Sequence, residues 1–316
     1  MKHLSTIFLV VVLIISCSRE PRGTVPAGFK AEVMLPITPI KDQGKSPLCW
    51  VYAMLATIET EHLGQGDSVN LSVDYLSRMF LEEQAMKRFS TKGSHDISLR
   101  GMAPMVIDLL QRYGAMPYDS YFSREPINYN VLSRKIEKTV DMCLAHRYDS
   151  VRCLDEVRYQ LNENIGYMPS MVFMYGMKYT LLEFAHSVCL PDEYESLTSL
   201  EAEPVNKVIR LPFADNHYDI TALNIPADSL IKRMEHSLRK GHPVLWEGGP
   251  EDNHAVAVIG MGSDNTGTEY FIAKNSWGKD NPTKGLLYIR KDYVKAHTSV
   301  IVVKRRSFSR NSRLSR

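Results

Sequence analysis

Residues 39–53 constrain the fold most, because they combine a polar turn, one cysteine and the start of an apolar helix. Ser46 is a candidate N-cap, and Pro47 suits the first helical position because its missing N–H would be unpaired there. An apolar stripe at helical spacing follows and is closed by Gly64. Its members are Val51, Met54, Leu55, Ile58 and Leu63. The pattern predicts a buried helix with Cys49 in its first turn.

A cysteine in the first helical turn lies where the helix dipole favours negative charge, so we expect a stabilised thiolate at Cys49. A thiolate is the nucleophile that a cysteine hydrolase needs. Gln43 lies upstream across a glycine-containing turn, where its amide and the Cys49 N–H are candidates to hold an oxyanion. The alternative interpretation is that Cys49, next to Trp50, is a core residue without chemistry.

Two later segments favour chemistry over core packing. Residues 252–260 bring His254 to the start of an apolar run that is typical of a strand. Residues 269–278 form a second strand-like run that ends in Asn275-Ser-Trp277-Gly. Taken separately, His254 is typical of a surface histidine and Asn275 of a turn former.

Together, Gln43, Cys49, His254 and Asn275 supply the parts of a thiol acyl-transfer site. We expect Cys49 to attack a carbonyl, and His254 to take and later return the proton. The side-chain oxygen of Asn275 would orient the imidazole, and Trp277 would shield that hydrogen bond from water.

On these blocks, the chain resembles the papain-like cysteine peptidases. Ser46-Pro47-Leu48 departs from the signature that precedes the papain cysteine, and Cys49 and His254 lie further apart than the roughly 130–150 residues of that group. Both departures are more similar to the bleomycin hydrolase and aminopeptidase C branch. Segments in the middle of the chain share that similarity, namely 71–76, 113–117, 179–180 and 224–228.

The resemblance implies an α+β, papain-like, two-lobe fold, with a helical lobe, an antiparallel β-barrel-like lobe and the active-site cleft between them. The residue pattern agrees, since a helix-rich first half precedes a strand-rich second half. The resemblance also implies a glycine-containing loop along which substrate backbone binds, with Gly93 or Gly101 as candidates. We assign substrate contacts to Trp50, Gly101 and Trp277.

The first residues predict export. The apolar run at 7–15 is too short to cross a bilayer, which takes about 20 residues, and fits a signal peptide over 1–16. The residues up to Cys17 resemble a bacterial lipobox, which implies lipid attachment to Cys17; an ordinary signal peptide is the alternative. We expect a flexible tether over 17–30, a peptidase domain over 31–303, and a membrane-anchored lipoprotein in the periplasm or at the cell surface.

Composition sets further limits. The net charge of +2 does not indicate a nucleic-acid partner, and it comes from the basic tail that we predict over 304–316. Cys143 and Cys153 flank a polar turn, so either a disulfide or two buried free thiols fit; Cys189 adds a third cysteine. No motif indicates a metal or another cofactor. The oligomeric state is not predicted.

The predicted function is a cysteine-type peptidase that cleaves peptides or proteins through a thioester acyl-enzyme, with an aminopeptidase as one option. The alternative is a non-catalytic surface lipoprotein on the same scaffold, which binds peptides or cell-wall material. A third option is acyl transfer, in which an amine replaces water; the same residues would carry it.

Overall fold

The structure is a computed structural model that describes residues 24–123, 125–174, 176–249 and 253–305. The predicted signal peptide, the lipidation residue Cys17 and the tail beyond Arg305 lie outside these ranges. Across the described ranges, no helix combines the length and the apolar character needed to cross a membrane.

Helices dominate the first half of the chain, as the apolar periodicity predicts. The helices are α1 (Cys49–Gly64), α2 (Val73–Ser90), α3 (Met105–Tyr113), α4 (Tyr129–Ala145), α5 (Ser150–Ile165), α6 (Leu181–Val188), α7 (Ala227–Arg239) and α8 (Lys291–His297), and a short 3-10 turn spans Tyr118–Ser120. Helix α2 begins at the residue after Ser72, whose side chain accepts a hydrogen bond from the Tyr75 N–H.

Strands dominate the second half. They are β1 (Lys30–Met34), β2 (Val172–Met174), β3 (Met177–Tyr179), β4 (Tyr194–Thr198), β5 (Lys207–Arg210), β6 (Thr221–Asn224), β7 (Val244–Gly248), β8 (Ala255–Ser263), β9 (Glu269–Lys274), β10 (Leu286–Arg290) and β11 (Thr298–Lys304). Nine of these strands form one sheet in the order β10-β9-β8-β7-β11-β4-β6-β5, with β1 added along β8. Only the β4–β6 pair in this sheet is parallel, among the described strands.

The sheet register places three strand ends at one edge. Glu247 near the end of β7 lies opposite Ala255 at the start of β8. On the other side of β8, Ala257 lies opposite Lys274, the last residue of β9. Residues that follow β7, precede β8 or follow β9 therefore meet at one place, since neighbouring strands run antiparallel.

Helix α1 joins the two lobes. Almost every side chain from Trp50 to His62 is buried, because the helix packs against α2 and α3 on one side and against β7 and β8 on the other. The predicted N-cap is wrong: the helix begins at Cys49, and Ser46 instead donates its hydroxyl to the Gln43 carbonyl at 2.8 Å. Residues 43–46 form a turn, in which the Ser46 N–H donates to the Gln43 carbonyl at 3.2 Å, and Cys49 is the first helical residue instead of Pro47.

Two predicted domain boundaries need correction. Phe29, assigned to the tether, packs edge-on against Tyr270 and Tyr288, and β1 begins at the next residue. Lys304, assigned to the basic tail, is the last residue of β11 and pairs with the buried Glu61. Both residues are held in the domain by contacts to segments far away in sequence, which a local composition shift does not reveal.

The three remaining cysteines are buried free thiols. Cys143 on α4 and Cys153 on α5 face each other across the helical hairpin without a disulfide, and Cys189 follows α6. Burial raises the pKa of Cys153 to about 12, and the neighbouring Cys143 thiol adds to that shift. Of the two alternatives for this pair, the structure has the free thiols.

A buried carboxylate on α1 ties three segments together. Glu59 accepts hydrogen bonds from the Thr38 hydroxyl, from Lys41 Nζ at 2.6 Å and from the Leu71 N–H at 2.8 Å. Lys274 Nζ lies 3.6 Å from the same carboxylate and donates to Thr38 at 2.6 Å. Burial raises the pKa of Glu59, but the two lysine charges outweigh burial and the net pKa is lowered.

Replacing this carboxylate should destabilise the fold strongly. Glu59→Gln leaves two largely buried lysines without their counter-charge, so the free energy of unfolding should fall by about 3–5 kcal/mol. Urea denaturation measures it. The control is Glu32→Gln, which breaks a half-exposed pair with Arg239 and should cost no more than about 1 kcal/mol. Equal effects of the two variants would contradict the structural role of Glu59.

Candidate active site

Cys49 meets the β-lobe at the point where the three strand ends converge. The backbone N–H groups of Ala255, Trp50 and Cys49 itself lie close enough to the thiol to lower its pKa, and Ala255 is the residue that follows His254. The Trp50 and Cys49 groups have no helical acceptor, since Cys49 opens α1. The start of α1 and the start of β8 thus lie beside each other at the thiol.

The pKa of Cys49 is shifted in the direction opposite to the one expected from the helix dipole. Burial raises the pKa of the thiol to about 11; the nearby Glu247 carboxyl adds to the rise, and three backbone N–H groups oppose it. Removal from water therefore outweighs the field of the helix N-terminus. The resting sulfur carries its proton at neutral pH, and a preformed thiolate is not what this environment favours.

His254 and Asn275 form the hydrogen bond that the sequence predicts between them. His254 Nε2 lies 2.8 Å from Asn275 Oδ1, which also accepts the Ser276 N–H at 2.8 Å. The Asn275 atom that accepts the Ser276 N–H must be the amide oxygen, so His254 Nε2 is the donor to that oxygen. In the neutral imidazole, Nε2 therefore carries the proton. The second ring nitrogen, Nδ1, is then the basic one.

Trp277 covers the imidazole. The two rings stack with centroids 4.7 Å apart and an interplanar angle of 24°, and the indole keeps 43% of its surface exposed. The indole thus separates one face of His254 from solvent, as expected of a group that shields the His254–Asn275 hydrogen bond. A substrate contact for Trp277 stays a prediction.

Gln43 is held by the segment that follows β9. Its backbone N–H donates to the Ser276 carbonyl at 2.8 Å, and its side-chain oxygen accepts from the Ser276 hydroxyl. The side-chain nitrogen donates to the Ser46 carbonyl at 2.7 Å. An amide nitrogen has two hydrogens, so one donor position remains beyond that bond. Asp42 pairs with Trp277 in an antiparallel bridge, which ties this loop to the residues after Asn275.

All four residues of the predicted site come together. Cys49, His254 and Gln43 line one open cavity of about 230 Å³, and Asn275 lies behind His254 as a buried residue. The other lining residues come from both lobes. They are Ser46, Pro47, Trp50, Arg100, Gly101, Asp215, Glu247, Asn253, Ala255 and Trp277.

Of the two candidate glycines, Gly101 lies at the cavity, whereas Gly93 packs near Leu144. A Cβ atom at Gly101 would lie 2.8 Å from the Trp50 ring, so only glycine fits at this wall. Trp50 itself is 1% exposed and donates its indole N–H to the Leu99 carbonyl at 3.0 Å. Trp50 therefore supports the wall from behind, and its direct contact with substrate stays a prediction.

Asp215 and Arg100 are cavity residues that the sequence pattern did not reveal. They pair across the two lobes, with Arg100 Nε 3.0 Å from Asp215 Oδ2. Asp215 lies in a turn between β5 and β6 whose composition is typical of any loop, so only tertiary structure brings it here. Within the described ranges, no cluster of three or more His, Cys, Asp or Glu side chains could hold a metal ion.

The fold and this site define a class. The α+β architecture is the papain-like one, with the thiol on the helical lobe and the imidazole on the β-lobe. Residues 231–303 match the family model described as papain family cysteine protease. That segment includes His254 and Asn275 and ends before the tail, whereas Cys49 and Gln43 lie outside it.

The chain is also similar to individual proteins. A 44-residue segment is 46% identical to cysteine endopeptidase Rep1 of Oryza sativa subsp. japonica, which is 14% of this chain and 12% of that protein. The structure is similar to that of PepW from Lactobacillus rhamnosis, with TM-score 0.68, 15% identity, and coverage of 89% of this chain and 83% of that one. Xylellain, a cysteine protease from Xylella fastidiosa, gives TM-score 0.43 at 15% identity over 90% of this chain and 95% of that one.

The pH dependence of Cys49 alkylation should report its raised pKa. Only the thiolate reacts, so the rate with iodoacetamide should rise about tenfold per pH unit from about pH 6 towards the thiol pKa of about 11. Mass spectrometry of the Cys49 peptide measures the rate, and Cys49→Ala corrects for other thiols. A flat rate between about pH 5 and pH 8 would instead indicate a thiolate–imidazolium pair and contradict the expectation.

Proposed function

We propose that this chain is a cysteine-type peptidase that hydrolyses peptide bonds through a thioester on Cys49. The observation that carries the proposal is the shared cavity of Cys49, His254 and Gln43, with His254 oriented by its 2.8 Å hydrogen bond to Asn275. The family match over residues 231–303 supports the same class of reaction.

The first step is attack on the carbonyl. The Cys49 thiol is protonated at rest, so His254 removes its proton through Nδ1 as the sulfur bonds to the carbonyl carbon. Asn275 Oδ1 accepts the hydrogen bond from Nε2–H throughout, which keeps the ring in the tautomer that leaves Nδ1 basic. The imidazolium that forms is stabilised by the same Asn275 oxygen.

The second step is collapse of the tetrahedral intermediate. The side-chain N–H of Gln43 and the backbone N–H of Cys49 donate to the oxyanion. His254 returns the proton to the leaving amine, the C–N bond breaks and a Cys49 thioester remains. Water, deprotonated by His254, then attacks the thioester, releases the acid and restores the thiol.

The sequence similarity to the bleomycin hydrolase and aminopeptidase C branch supports a finer proposal, an aminopeptidase. Two alternatives use the same cavity: a non-catalytic peptide- or cell-wall-binding module, and acyl transfer to an amine. Export and lipid attachment at Cys17 remain proposals from the sequence, supported by the apolar run and the lipobox resemblance.

Removing the sulfur should abolish turnover. Cys49→Ala should lower the hydrolysis of a fluorogenic peptide library by a factor of about 10⁴ or more, because no other group replaces the nucleophile. The matched control is Cys189→Ala, a buried cysteine outside the cavity, which should retain activity. Full activity of Cys49→Ala would contradict the mechanism; peptide binding without cleavage by the wild type would favour the non-catalytic module.

Removing the side-chain donor should slow the chemical step. Gln43→Ala should lower kcat by about 10²–10³-fold with little change in KM, because the oxyanion exists only after attack. Steady-state kinetics on the best library substrate measure both constants. Gln160→Ala on α5 is the control and should leave both constants unchanged. A change confined to KM would show that Gln43 binds substrate and does not hold the oxyanion.

A further inference from the structure

One wall of the active-site cavity contains a half-buried acid that the proposed mechanism does not use. Glu247 lies next to last in β7, at the sheet edge where His254 and Asn275 also lie. Its carboxyl group lines the cavity together with Cys49, and its charge acts on the Cys49 thiol. A carboxyl group at this position faces whatever substrate the thiol attacks.

Among the described residues, the Glu247 carboxyl accepts a single hydrogen bond. Oε2 accepts the Ala103 N–H at 2.9 Å, which fixes the side chain against the residues before α3. In the described part of the chain, no lysine or arginine nitrogen lies within ion-pair distance of Glu247. A carboxylate that is largely withdrawn from water is stabilised by a paired cation, so Glu247 lacks the partner that its charged form favours.

The other charged groups at this end of the cavity do not supply that partner. The Arg100 guanidinium is paired with Asp215 at 3.0 Å, so its charge is already compensated. Asp215 repels a negative charge on Glu247, and burial together with that repulsion raises the pKa of Glu247 to about 8. The cavity wall therefore has one paired acid, Asp215, and one acid, Glu247, whose charged form a nearby cation would stabilise.

We propose that Glu247 selects a positively charged substrate group, an ammonium or guanidinium, in the cavity beside Cys49. The cation forms an ion pair with the Glu247 carboxylate, and the proton that Glu247 held before binding is released to water. This inference rests on the proposed peptidase function and names its substrate class. The cation comes from a lysine or arginine side chain or from a free peptide N-terminus.

The test compares matched cationic and neutral substrates. The substrates are dipeptide aminocoumarin amides, in matched pairs that have lysine or norleucine at a given position. One set has acetylated N-termini, and a second set has free N-termini. Wild-type kcat/KM should be at least about tenfold higher for the lysine member of one pair, because the norleucine substrate leaves the Glu247 carboxyl unpaired. A preference within the acetylated set assigns the cation to a side chain; a preference for the free N-terminus assigns it to the α-amino group.

Glu247→Gln keeps the size of the side chain and an acceptor for the Ala103 N–H but cannot become charged. The cationic-to-neutral ratio should fall to near one in this variant. The control Glu201→Gln changes an acid in a turn outside the cavity and should keep the wild-type ratio. A wild-type ratio near one, or a ratio that survives Glu247→Gln, would overturn the proposal.

A binding measurement separates this proposal from the peptidase function. In the Cys49→Ala background, calorimetry with lysine and norleucine peptides should show the same preference, lost on adding Glu247→Gln. Equal affinities would overturn the cation site even if the wild type hydrolyses peptides. If the wild type hydrolyses none of the substrates but the binding preference is present, the peptidase function fails and the cation site stands.

Discussion

The arrangement of the site depends on one buried carboxylate. Glu59 on the central helix holds Lys41, two residues before Gln43, and approaches Lys274, the residue before Asn275. The loop that carries Gln43 and the end of β9 are thus fixed to the same helix that carries Cys49. An ion pair of this kind contributes little net stability compared with apolar packing, but it allows few arrangements of the three segments. The geometry of the cavity follows from that restriction.

Much of this arrangement can be predicted from the sequence. The parts that cannot be predicted share one cause, since they depend on tertiary contacts. The apolar stripe after Cys49 and the strand-like runs beside His254 and Asn275 report local periodicity, and the structure places helices and strands there. Asp215 carries no such pattern and reaches the cavity only through tertiary contacts. Lys304 looks like part of a solvated basic run, yet Glu61 draws it into the sheet.

The environment of Cys49 shows how two local effects compete. The sequence reveals the helix N-terminus, which stabilises negative charge, but it does not reveal how deeply the sulfur is buried. Burial depends on the approach of β8, far away in sequence, and it dominates the pKa of the thiol, while the charge of Glu247 adds to the rise. In the proposed mechanism, Cys49 is protonated at rest, so its activation depends on the tautomer of His254 that Asn275 sets.

The position of β11 has a consequence for biosynthesis. This strand lies between β7 and β4, so among the described strands it alone joins the site-bearing strands to the β4–β6–β5 part of the sheet. A ribosome-bound chain in which residues 298–304 are not yet translated cannot join these two parts. The two parts of the sheet therefore join late, after every residue of the candidate site has been synthesised.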